Sequence, residues 1–376
     1  MQALEDIRVL DLTHVQAGPI VTLYMAGMGA EVIKVEPLWG EMSRMTPPMI
    51  KGQSPYFLYL NRGKKDITLN LKEEEGLMIF KELVKKSDVV IENFSAGTME
   101  RMGLGWDVLR ELNPGIIYAS ICGFGHTGPW KDRRSFDPIA QATSGYMWLN
   151  RDDLNETGPP ILASEAIADT IPGFTCLIGI LAALNYRNRT GMGQRVDVAQ
   201  MDSMIAVMRS FSFWTLADTT FRRAARKYRI GVSGLHRTSD GYVMFSLPAG
   251  RITDWFMELL GVDELLPEVV DQWVRERTTD EVVTLLEEAG VPVGPVLNLD
   301  EVLESPQAKA REMFVKVEHP VAGEMTQPGF PIKFSDTKGD LSKPSPLLGE
   351  HTEEVLSGLL GYSEERIQEL RNNGIV

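Results

Sequence analysis

The chain has 376 residues, 43% of them hydrophobic, and a formal net charge of −14. That length and apolar content support a substantial core and two domains, while the acidic balance speaks against broad nucleic-acid binding or a polybasic membrane contact. Two cysteines, Cys122 and Cys176, stand in apolar surroundings and read as buried small hydrophobes, not as a disulfide framework or a metal site. Met1-Gln2-Ala3-Leu4-Glu5-Asp6 shows no charged-then-apolar signal pattern, so a cytoplasmic enzyme is expected.

In chain order, Arg8–Leu12 and Glu31–Val35 read as strands flanking the apolar segment Ile20–Met28. Leu77–Lys86 has helical spacing and is followed by the strand Val89–Ile91. Met99–Asn113 is helical again, Ile116–Ile121 is rich in β-formers, and Gln194–Ala199 adds one more strand. That rhythm predicts βαβ units and a Rossmann-like parallel sheet in a large α/β domain over residues 1–200. After a linker at 201–225, a hairpin around Ser239-Asp240-Gly241 and the helical stretches Ile252–Leu260, Pro267–Thr278 and Asp280–Ala289 predict a smaller α+β domain over 226–325. Arg222, Arg223, Arg226, Lys227 and Arg229 read as a solvated helix face. The segment 326–376 is expected to return to the large domain.

The residue with the most chemical promise is Asp169. It stands with Thr170 where the apolar helix Ile171–Leu184 is predicted to begin, with Pro172 in the first turn. At 14 residues that run is too short to span a bilayer and reads as a core helix. On spacing alone, a carboxylate there is an N-cap, stabilised by free backbone N–H groups.

Other segments change that reading. Val9-Leu10-Asp11-Leu12-Thr13 leads into Gln16-Ala17-Gly18-Pro19, and Gly29-Ala30-Glu31-Val32-Ile33-Lys34-Val35-Glu36-Pro37 follows. Then come Asn61-Arg62-Gly63-Lys64-Lys65, Ile67-Thr68-Leu69-Asn70-Leu71-Lys72, Glu92-Asn93-Phe94, and Gly123-Phe124-Gly125 with Thr127-Gly128-Pro129. Arg189-Thr190-Gly191-Met192-Gly193-Gln194-Arg195-Val196-Asp197-Val198 follows the Asp169 helix, and Leu348-Gly349-Glu350-His351-Thr352 closes the series. In this order, over nearly the whole chain, the segments resemble the class III CoA-transferase family. The resemblance implies an interlocked homodimer, with a heteromeric partner as the alternative. Its substrates would be an acyl-CoA donor and a carboxylic acid acceptor, with coenzyme A as the group carried and no metal.

By resemblance, Asp169 is the catalytic nucleophile, and Gln16 and Ala17 face it. Leu69, Asn70, Leu71, Lys72, Asn93, Phe94, Ser95, Arg101 and Arg134 match positions that hold the nucleotide and phosphates, and Phe136 and Asp137 complete the CoA site. Relatives often carry a basic residue near position 38, where this chain has Leu38, with Arg44 nearby. An aspartate with a pKa near 3.9 is ionised at neutral pH and needs no adjacent base. It would attack the donor acyl group to give a mixed anhydride, which CoA thiolate converts to an aspartyl-CoA thioester. His14 and His236 are candidates to approach the substrate, while His126 in the Gly123–Pro129 turn reads as exposed or hydrogen-bonded.

Three other readings compete. The α-methylacyl-CoA racemases of the same fold place a histidine immediately before the aspartate that aligns with Asp137; Phe136 cannot move a proton. An NAD-dependent dehydrogenase would need G-x-G-x-x-G after the first strand, and Gly18 and Gly27-Met28-Gly29 do not supply it. A non-catalytic acyl-CoA-binding subunit would lack Asp169. Oxalate-handling relatives carry a run of glycines over the site; Gly231-Val232-Ser233-Gly234 is not such a run, so formyl-CoA:oxalate transfer is not favoured, and the resemblance implies succinyl-CoA as donor with an aromatic or branched acid as acceptor.

Overall fold

The computed structural model describes residues 1–154, 158–212, 232–247 and 250–376. The basic run Arg222–Arg229 and Gly231 lie outside them, as does most of the expected 201–225 linker.

Six strands form one fully parallel sheet in the order β3-β2-β1-β4-β5-β6: β1 Arg8–Asp11, β2 Glu31–Glu36, β3 Lys65–Thr68, β4 Val89–Glu92, β5 Ile117–Cys122 and β6 Arg195–Ala199. Five were legible as apolar runs. The short edge strand β3 was not, because Lys65-Asp66 interrupts the pattern that burial normally imposes. Strand side chains alternate between two cores. Val9, Ile117, Ala119 and Ile121 enter one with helix α1 (Pro19–Gly27), while Leu10 and Tyr118 enter the other.

Between these strands run α2 (Pro55–Leu60), α3 (Glu74–Val84), α4 (Thr98–Arg101) and α5 (Trp106–Leu112). The single helix expected over Met99–Asn113 is thus two, separated at Gly103–Gly105. After β5 come α6 (Asp137–Thr143), α7 (Tyr146–Leu154) and α8 (Ile167–Thr190), and α9 (Gln200–Val207) follows β6.

Helix α8 corrects the expectation most. It has 24 residues, not 14, and begins before Asp169, so Ala166 is the N-cap and Asp169 lies in the first turn. By length and composition α8 could cross a membrane. Its inner face, with Cys176, Leu177, Ile180, Ala183 and Leu184, instead packs into the core on the α1 side of the sheet.

Two compact units emerge: residues 1–208 with 310–376, and residues 209–309. The chain rejoins the first unit earlier than the expected 326, because the antiparallel hairpin Phe314–His319/Gly323–Pro328 belongs to that unit. Its tail lies along the β3 edge, where Asn70 N donates to Ile375 O (2.8 Å) and His351 N donates to Asp66 O (2.9 Å). The second unit carries a three-stranded sheet, Gly234–Arg237, Tyr242–Phe245 and Val293–Pro295, covered by helices Arg251–Leu260, Pro267–Arg275 and Thr279–Glu288.

Candidate active site

The order 3-2-1-4-5-6 reverses direction between β1 and β4, and the loops leaving those two strands must diverge there. Open parallel sheets bind ligands in the crevice this creates at the strands' carboxyl ends. A cavity of about 380 Å³ lies at that place. After β1 it is lined by His14–Ala17, after β4 by Asn93–Ala96, and at the end of β5 by Cys122 and Gly123. Asp169 of α8 and Gln200 of α9 complete one wall.

A buried ionic cluster holds the loop after β1 from below. Asp11 accepts hydrogen bonds from Thr13 N (2.8 Å), Thr22 Oγ1 (2.6 Å) and Lys64 Nζ (3.1 Å). Lys34 Nζ donates to Thr13 O (2.7 Å), and Lys64 Nζ also reaches Pro19 O (3.2 Å). Burial alone would raise the Asp11 pKa, but Lys64 and Lys34 outweigh it and hold the carboxyl well below the usual range. From the side, Asn93 clasps the same loop: His14 N donates to Asn93 Oδ1 (2.9 Å), and Asn93 Nδ2 donates to His14 O (2.8 Å). The Asn93 side chain is therefore a splint across the crevice. The His14 ring rests on Phe94 at 4.8 Å, and burial pushes its pKa down. Val15 takes a left-handed backbone (φ 64°), unusual for a β-branched residue, with its N–H donated to Glu41 Oε2 (3.3 Å).

Asp169 is brought to this loop by a close helix contact. A Cβ on Gly173 would stand 2.5 Å from Ile20 Cγ2 and 2.8 Å from Ala17 O, so only glycine lets the first turns of α8 press against the start of α1. Gln16 bridges the two: its Nε2 donates to Thr170 Oγ1 (2.8 Å) and its Oε1 accepts from Tyr56 OH (2.7 Å). Helix α1 starts at Gly18–Pro19 without a side-chain cap, and its first N–H groups are satisfied by backbone: Ile20 N donates to Gln16 O (3.0 Å) and Val21 N to Gly18 O (2.9 Å).

The helix start itself is capped from α6. Asp137 Oδ1 accepts from Ala168 N (2.7 Å) and its Oδ2 from Gln141 Nε2 (2.7 Å). Gln141 Oε1 in turn accepts from Ala163 N (3.0 Å). Asp137 thus does the capping that the spacing assigned to Asp169, and the Asp169 carboxylate is left to accept from Gln200 Nε2. Asp169 is only 7% exposed. Burial, followed by the negative charge of Asp137, pushes its pKa up to about 7, against the opposing pull of the Gln200 hydrogen bond. The carboxyl therefore sits well above the ordinary value near 3.9.

The cavity collects Gln16, Ala17, Asn93, Phe94, Ser95, Arg134, Phe136 and Asp169 from the residues expected there. Phe136 is 60% exposed, at the rim. Leu69, Asn70, Leu71, Lys72, Arg101 and Asp137 are not part of its lining. Leu69 is buried, Asn70 Nδ2 donates to Gly374 O (3.3 Å), Lys72 lies over the exposed Trp39 ring at 5.4 Å, and Arg101 donates to Thr98 Oγ1 (2.8 Å). Arg44 cannot replace the basic residue missing at Leu38, since its guanidinium is bound to Glu36 (2.8 Å) and Asp66 (3.2 Å).

Sequence reasoning missed Lys131 and Arg133, which line the cavity beside Arg134, and Gln200. A Cβ on Gly123 would meet Ser135 Cβ at 2.2 Å, so this glycine is what seats the cationic loop on the end of β5. Gln200 directly follows β6, and position at a strand's carboxyl end was the signal that could have found it. Cys122, His126 and Asp197 bring three donor atoms within 4.8 Å of one another. Burial pushes the Cys122 thiol up to about 12, however, and His126 Nε2 is hydrogen-bonded to Ser120 Oγ (2.8 Å). His236, in the second unit, has Nδ1 on Asp271 (2.7 Å) and Nε2 on Val232 O (3.0 Å).

Residues 4–352 match the model of CoA-transferase family III. The chain belongs to that family. It is 36% identical to a formyl-CoA:oxalate CoA-transferase of Streptomyces avermitilis over the full length of both chains. It is 32% identical to a succinyl-CoA:glutarate CoA-transferase of Homo sapiens, covering 100% of this chain and 90% of the relative. Among solved structures it is similar to a CAIB/BAIF family protein from Brucella suis, with a TM-score of 0.79 and 30% identity over 95% of this chain and 99% of the other. This class III CoA-transferase therefore acts on CoA thioesters.

Proposed function

We propose that this CoA-transferase works through a covalent aspartyl-CoA thioester on Asp169. The observation that carries the reading is the buried carboxylate in the first turn of α8, facing a cavity at the switch point of the sheet that Gln16 and Ala17 also line. In its ionised form, Asp169 attacks the donor acyl carbonyl and CoA thiolate leaves, giving a mixed anhydride. The thiolate then attacks Asp169 Cγ and the donor acid departs. The acceptor acid reverses both steps and leaves as its CoA thioester. Burial serves this chemistry by keeping water from the anhydride and the thioester.

Lys131, Arg133 and Arg134 hold the negatively charged substrate at the rim. Succinyl-CoA is the donor proposed, supported by the activity named for the human relative. We further propose a cytoplasmic, interlocked homodimer. Its support is the outer face of α8, where Ile178 is 68% exposed and Leu181 and Tyr186 also face outward in the single chain.

Asp169→Asn tests the core of the reading. Transfer should fall by several orders of magnitude, and hydroxylamine added during turnover should modify Asp169 in the unaltered enzyme, as located by peptide mass mapping. Near-normal transfer by the Asn variant, or a label on Asp137, would overturn it. A panel of acyl-CoA donors against carboxylic acids, read by mass spectrometry of the CoA products, identifies the pair.

A further inference from the structure

We infer that Gln200 is a catalytic residue: its side-chain amide is the oxyanion donor for the steps that occur on the carbonyl carbon of Asp169 itself. The inference rests on the aspartyl thioester reading above. That reading contains two kinds of tetrahedral intermediate. One forms on the acyl carbon of the substrate. The other forms on Asp169 Cγ, twice per turnover, when thiolate makes the enzyme thioester and when the acceptor acid breaks it. A donor to the first oxygen does not reach the second.

The geometry supplies one. Gln200 Nε2 donates to Asp169 Oδ1. Both side chains are buried, so the contact is shielded from water. Gln200 is also held rigidly. It is the first residue of α9, directly after β6. Met201 N donates to Gly123 O (3.1 Å), which ties the start of α9 to the end of β5, and Ser203 Oγ donates back to Ala199 O (2.9 Å). Asp169 is fixed from the other side by its place in α8, whose Ala168 N is bound to Asp137. An amide with no acid–base function, aimed at one oxygen of the nucleophile by a strand-to-helix junction, is preorganised in the manner oxyanion donors require.

The chemistry follows that one oxygen. With Gln200 on Oδ1, Oδ2 makes the bond to the donor acyl group and becomes the bridging oxygen of the anhydride. When thiolate sulfur attacks Cγ, the carbonyl electron pair moves onto Oδ1, the atom that already accepts from Gln200. Collapse breaks the Cγ–Oδ2 bond, and the donor acid leaves as a carboxylate carrying Oδ2. In the second half, an oxygen of the acceptor carboxylate attacks Cγ, Oδ1 again takes the charge, and the Cγ–S bond breaks to release thiolate. Gln200 therefore acts on thioester formation and thioester consumption, and not on the attack of Asp169 on substrate.

Gln200→Met, with an unbranched side chain and no donor, tests this, and Gln200→Leu provides a second apolar variant should the first fold poorly. Enzyme is mixed with acyl-CoA, quenched in acid and read by intact-protein mass spectrometry, which separates an adduct of acyl mass (anhydride) from one of CoA mass (thioester). The unaltered enzyme should carry the CoA-mass adduct. The variants should accumulate the acyl-mass adduct and turn over about 10²–10³-fold more slowly, the cost of removing one oxyanion donor. Their KM for acyl-CoA should stay within about threefold, as for an interaction made only in the transition state. A residue that merely packs beside Asp169 would slow every step without exchanging one adduct for the other. CoA-mass adduct forming on Gln200→Met at the unaltered rate overturns the assignment of Gln200. Absence of both adducts on the unaltered enzyme overturns the aspartyl reading instead, and this inference with it.

Discussion

Asp169 joins two properties that pull in opposite directions. The chemistry needs its anion, and the site that protects the chemistry from water favours its protonated form, with a pKa of about 7. Activity should therefore fall about tenfold per pH unit below 7 and level off above it, as kcat/KM measured from pH 5 to 9 would show. The same shift acts on stability. Because the folded pKa is raised, the contribution is fully favourable below the unfolded value near 4 and is lost as pH rises through 7, by roughly 1.4 kcal/mol per unit of separation. Asp169→Asn removes that liability. Its Tm should exceed that of the unaltered enzyme at pH 8, with the difference shrinking toward pH 4, whereas an N-cap role would predict almost no change at any pH. An unchanged Tm at pH 8 would count against the burial argument.

At the scale of elements, the site is a junction of helix starts. Asp137 reaches from the first turn of α6 to cap α8, and its charge is part of what raises Asp169. Asp137→Asn keeps an oxygen acceptor for Ala168 N but removes the charge, so the acidic limb of the pH profile should move below 7. Asp137→Ala should add about 0.5–2 kcal/mol of lost capping, read by denaturant unfolding. The packing of α8 on α1 is equally specific. Gly173→Val would drive new atoms into Ile20 and the Ala17 carbonyl, which a Cβ alone already approaches within 2.8 Å. We expect about 1–3 kcal/mol of destabilisation from overpacking. A larger fractional loss of kcat should accompany it, because the strain is relieved by parting Gln16 and Ala17 from Asp169. Wild-type kcat in a destabilised Gly173→Val would show that the contact serves packing alone.

For the whole molecule, the proposed interlocked dimer makes a measurable forecast. Threaded chains separate only by unfolding, so subunits mixed at nanomolar concentration should not exchange while the fold is intact. Free exchange seen by mass photometry would remove the interlock. Much of this enzyme was legible in the chain: five strands, the α/β class, and the eight expected residues that gather in the cavity. These follow from local rules, since a strand buried on both faces must be apolar, and a helix start or tight turn restricts its residues. The full extent of α8 escaped because Asp169-Thr170 reads as a helix start and its last residues, Asn185–Thr190, are polar enough to resemble a loop. Edge strand β3 escaped because a charged pair can sit where tertiary partners neutralise it. Whether Asp169 was a cap or a free nucleophile could not be read from spacing, because the true cap, Asp137, lies 31 residues before Ala168, whose N–H it accepts. The raised pKa and the hydrogen bond from Gln200 are likewise tertiary. Both depend on which atoms surround a carboxylate after folding, and residues distant in sequence provide most of them.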